Sequence, residues 1–142
     1  MNSRKAVWSL LLVGLCTGLV LASDRARTEL TDEEITKKLV GKWEEEINED
    51  AAKGKVTLEY KKDGNLAAEG TVDAGGQNIK FKIAATWKVK DKELIVTFDK
   101  VEPEGLIPAG TVSRDKILSI DEKSCSYRDQ KGSEKKMTRL KD

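Results

Sequence analysis

Histidine is absent from the 142 residues, and cysteine and proline occur only twice each. Without an imidazole, Ser-His and Cys-His nucleophile pairs cannot form, and zinc or copper would lack their commonest ligand. No catalytic residue, no metal site and no cofactor is therefore expected. Carboxylate-only acid–base chemistry stays open, but with 25 acidic residues in the chain any chosen pair is more simply a solvated face than a catalytic couple. Aromatic residues make up 5% of the sequence, so each large ring is needed first for a core. Neither sign of charge prevails, since 26 lysines and arginines stand against 25 acids. That balance leaves no electrostatic footprint for nucleic acid or an anionic membrane.

The long apolar run lies at the start. Residues 6–21 are apolar apart from Ser9, Thr17 and two glycines, and they follow the positive pair Arg4 and Lys5. This is the pattern of a cleavable signal peptide, with the cut expected after Ala22 and Ser23 as second choice. An uncleaved anchor is the competing reading, because the run is close to the shortest that spans a bilayer. The expected organisation is a signal peptide over 1–22, a linker over 23–30 and one domain over 31–142, placed in the periplasm or secreted. Removal of Arg4 and Lys5 leaves 24 basic against 25 acidic residues, and Cys125 remains as the one cysteine. Internal disulfides are then excluded, and Cys125 is expected as a small buried apolar residue.

Thr31-Asp32-Glu33-Glu34 has the form of a helix capping box, with Ile35 and Leu39 on one face and Lys37 and Lys38 near the C-terminal end. Gly41 falls where a helix C′ residue belongs, and Trp43 opens the first strand. So short a helix needs a surface to lie on, such as one end of a barrel. From there the period becomes two: Val56, Leu58 and Tyr60, then the turn Asp63-Gly64, then Leu66 to Val72. Small residues in that return strand predict a bent or closely approached backbone. Ile79, Phe81, Ile83, Ala85, Trp87 and Val89 form the longest alternating run, and Leu94, Val96 and Phe98 follow. The pattern lapses from Val101 to Gly110, where Leu106 and Ile107 sit between Pro103 and Pro108. The apolar pair either closes a barrel mouth or faces a partner. Alternation resumes in 117–121, 124–128 and 135–140. Tight turns without intervening helices predict an all-β antiparallel meander.

The short helix, Gly41-Lys42-Trp43, the hairpin at Tyr60 to Gly64, Trp87-Lys88-Val89 and a closing strand with Arg139 together resemble the small bacterial secreted lipocalin-like (calycin) domains. The chain is similar to their short planctomycete-type paralogues. The resemblance implies an up-and-down barrel of eight strands with a short N-terminal helix, Gly41, Trp43 and Arg139 being its structural signature. It further implies that Trp43 packs across the barrel base with Arg139 over its ring.

Such a barrel either fills itself or holds one small ligand. The ligand reading names Trp87, Phe81, Tyr60 and Phe98 as pocket residues. Trp87 leads because Ala67, Ala68, Ala84 and Ala85 leave space on nearby stretches. The other reading is a self-filled barrel serving as a protein-interaction or envelope module, its protein partner unknown. A small apolar molecule as partner, a monomeric state, and no membrane contact beyond the signal peptide are expected. An enzyme comes third, with Glu45 and Glu69 as the inward-leaning carboxylates to inspect.

Overall fold

A computed structural model describes residues 30–141. The expected signal peptide, its cleavage point and the linker up to residue 29 lie outside the described residues. Among the described residues one helix, α1 (Asp32–Leu39), precedes eight strands: β1 (Gly41–Glu49), β2 (Ala52–Tyr60), β3 (Asn65–Ala74), β4 (Gln77–Lys90), β5 (Glu93–Glu102), β6 (Val112–Ile120), β7 (Ser124–Arg128) and β8 (Glu134–Arg139). Each strand pairs antiparallel with the next. The ends meet through Trp43 opposite Arg139, Glu44 opposite Thr138 and Glu45 opposite Met137, closing the barrel.

The capping box forms as its spacing requires. The Thr31 hydroxyl accepts the Glu34 N–H at 3.2 Å, and the Glu34 carboxylate accepts the Thr31 N–H at 2.8 Å. Val40 is the C-cap and Gly41 follows with φ +133°, outside the left-handed helical well but in a region that glycine alone enters freely. A Cβ there would also stand 2.6 Å from Nη1 of Arg139. Ile35 and Leu39 are buried, and the Trp43 indole N–H donates to the Leu39 carbonyl at 2.8 Å. This bond joins helix end to barrel base. A second anchor was not legible in the sequence. The Asp32 carboxylate accepts the N–H groups of Asp91 (2.8 Å) and Lys92 (2.9 Å), both held at positive φ in the β4–β5 turn.

The small residues of β2 and β3 mark the expected close approach. A Cβ on Gly54 would lie 1.9 Å from the Thr71 carbonyl oxygen, and one on Gly70 would lie 2.2 Å from that of Lys55. The two glycines therefore let the paired strands coil tightly. β4, at 14 residues, pairs with β3 along its first part and with β5 along its last, with a register shift at Ala84/Ala85. That shift bends the strand between two neighbours. The expected lapse of strand begins later than Val101. Val101 is buried within β5, and β6 already begins at Val112.

Candidate functional site

The barrel is packed solid at the helix end. Leu39, Trp43, Cys125 and Met137 are between 0% and 1% exposed. The Arg139 guanidinium lies over the Trp43 ring with its carbon 4.3 Å from the centroid, as the resemblance implied. Nε–H donates to the Glu122 carbonyl at 2.8 Å, Nη1 to that of Val40 at 3.0 Å, and Nη2 to that of Lys38. Cys125 is a free, buried thiol whose pKa burial pushes up to about 12, which leaves it inert as a nucleophile.

Toward the other end the interior opens into a cavity of about 280 Å³. Its apolar wall includes Val56, Leu58, Leu66, Ile83 and Val96, and Ile107 enters from the 103–111 loop. Leu106, next to Ile107, is 45% exposed, so the two members of the apolar pair part company. Of the pocket residues named from the sequence, Tyr60, Phe81 and Phe98 line this space. Trp87 is not among the lining residues. It packs edge-on against Tyr60, with centroids 5.2 Å apart, and its indole N–H is shared between the Lys61 and Asn65 carbonyls at 3.1 Å each. The alanines expected to leave room beside it divide by parity. Ala68 and Ala85 are buried, whereas Ala67 and Ala84 pair with each other on the exposed face.

One corner of the cavity is polar, formed by Glu45, Ser113, Asp115 and Tyr127. The Tyr127 hydroxyl donates to Oε1 of Glu45 at 2.6 Å. Burial holds the Glu45 carboxyl above its usual range, against the opposing pull of the Tyr127 hydrogen bond and the Lys135 charge. Asp115 is pushed up to about 6, by burial first and then by the charges of Glu45 and Asp129. Burial and the neighbouring Glu45 charge push the Tyr127 hydroxyl upward. Sequence reasoning reached Glu45 but missed Ser113 and Asp115. Glu69, its companion in that reading, stands exposed on the outer wall. Carrying the parity of Ile117 back by two and four residues would have found both missed positions. Among the described residues no group of three or more histidine, cysteine, aspartate or glutamate side chains is placed to hold a metal ion.

A larger depression of about 500 Å³ lies outside, between Lys55, Lys80, Lys82, Glu69 and Glu102. It is open to solvent and lined by charges of both signs, so it encloses nothing.

No protein-family model and no curated protein matches the chain. A crystallographic structure of a porin-like protein from Bacteroides uniformis is similar at 22% identity and a TM-score of 0.26. The match covers 71% of this chain and 39% of that protein.

Proposed function

We propose that the chain is an extracytoplasmic, lipocalin-like barrel that holds one small, largely apolar molecule. The observation that carries this reading is the interior cavity of about 280 Å³, walled mainly by aliphatic and aromatic side chains. Its volume lies just under the usual range of about 300–1,000 Å³ for small-molecule sites, which suits a ligand of modest size. A barrel evolved to fill itself would close such a space with larger side chains, as this one does at its helix end. Binding without catalysis fits the absence of histidine. It also fits the hydrogen bond that occupies Glu45. The N-terminal apolar run behind Arg4 and Lys5 supports a location outside the cytoplasm.

A second reading, a monomeric module that contacts another protein, draws on Leu106 and Val112, which are 45% and 42% exposed. Native mass spectrometry of the protein purified from its own periplasm or medium, together with calorimetric titration by 1-hexanol, separates the two. A co-purifying small molecule or a saturable heat is expected. A bare protein mass combined with no heat on hexanol addition rejects the container.

A further inference from the structure

We infer that the cavity selects a small amphiphilic amine, with the ligand's ammonium group held at Glu45 and Asp115 and its apolar body against the aliphatic wall. This rests on the container reading and adds the ligand's chemical class.

The argument starts from what the polar corner can offer. Carboxylates accept hydrogen bonds and do not donate them when ionised. The Tyr127 hydroxyl proton is already committed to Glu45 at 2.6 Å, so toward the cavity that oxygen presents only lone pairs. Ser113 supplies the one hydroxyl of the corner that can turn either way. Three of the four polar side chains are thus acceptors, set in a wall that is otherwise apolar. A ligand rich in donors completes them.

Charge points the same way. Glu45 on β1 and Asp115 on β6 come from strands that are not neighbours in the sheet, yet the charge of Glu45 reaches Asp115. The titratable groups around them are Tyr60, Cys125, Tyr127, Asp129 and Lys135. Lys135 is the only cation of that set, and its Nζ is taken by Glu49 at 3.1 Å and Asp129 at 3.8 Å. Among the described residues neither Glu45 nor Asp115 forms an ion pair, and the Asp115 carboxyl has no hydrogen-bond partner. Partly buried carboxylates without an ion-pair partner are costly. A bound ammonium offsets that cost, a neutral alcohol leaves it in place, and a carboxylate ligand adds to it.

Calorimetric titration with n-hexylamine, 1-hexanol and hexanoate, which share one chain length, tests the inference on the whole protein. Hexylamine is expected to bind at least about tenfold more tightly than hexanol, with hexanoate weakest. In Asp115→Asn and in Glu45→Gln the hexylamine affinity should fall about tenfold relative to that of hexanol, whose persisting binding reports an intact cavity. Raising the pH from about 5 to about 7.5 should strengthen hexylamine binding as Asp115 ionises, and leave hexanol flat. Hexanol binding as tightly as hexylamine, or a hexylamine affinity that survives both substitutions, overturns the amine assignment and leaves the container standing. If none of the three compounds binds and the purified protein shows a bare mass, both fall.

Discussion

Arg139 gathers three carbonyl oxygens from two separate segments, the 38–40 helix end and Glu122, and covers the indole of Trp43. Lysine in its place keeps the charge but has neither the fork nor the plane. Arg139→Lys should therefore lose about 3 kcal/mol of stability, read by urea denaturation, without changing ligand affinity. Gly41 stands against the same guanidinium at φ +133°. Gly41→Ala should cost about 2 kcal/mol, and a double-mutant cycle with Arg139→Ala separates steric conflict from backbone strain. Asp115 sets the pH dependence at this scale. Its folded pKa of about 6 lies above the ordinary aspartate value, so the neutral form favours the fold. That contribution is complete below the unfolded pKa and is lost as pH rises through about 6. Asp115→Asn should accordingly raise the melting temperature at pH 8 and give no gain at pH 4.

At the scale of elements, α1 is too short to persist unaided and is fastened at both ends. Its first residue is bonded to the β4–β5 turn, and its last carbonyls to Arg139 and Trp43. Asp32→Ala should cost about 2 kcal/mol and selectively accelerate hydrogen exchange in α1, while Asp32→Asn, which keeps one acceptor, should restore part of both. The capping box was legible because its partners are three residues apart, and Gly41 because it directly follows the helix end. The Asp32 bond to a turn some 60 positions later has no local signature. The same distinction explains β6. Alternation announces a strand only where the inward positions are apolar, and Ser113 and Asp115 face the polar corner. The strand was therefore hidden over the residues that give the site its chemistry. Trp87 was misplaced for a related reason, since residue size reveals that a ring is buried but not which layer of the barrel receives it.

For the whole molecule, meander order and antiparallel sense followed from period-two patterning and turn chemistry, and the count of eight strands from the family resemblance. The division of the interior into a packed half and an open half did not. That division depends on how eight strands stack their layers, a property of closure and not of any one strand. Filling the open half should leave the barrel intact. Ala68→Met, at a buried position on the cavity wall, is expected to abolish 1-hexanol binding while shifting stability by less than about 1.5 kcal/mol. Calorimetry and thermal unfolding check the two halves of that statement.

The seam between β1 and β8 consists of three residue pairs, against nine between β1 and β2. During synthesis the hairpins can assemble in succession as they emerge, but Trp43 keeps a bare flank until residue 139 arrives to shut it. Closure of the barrel therefore waits on β8, and any fragment that stops before it would present a sticky, half-finished trough to whatever handles nascent proteins.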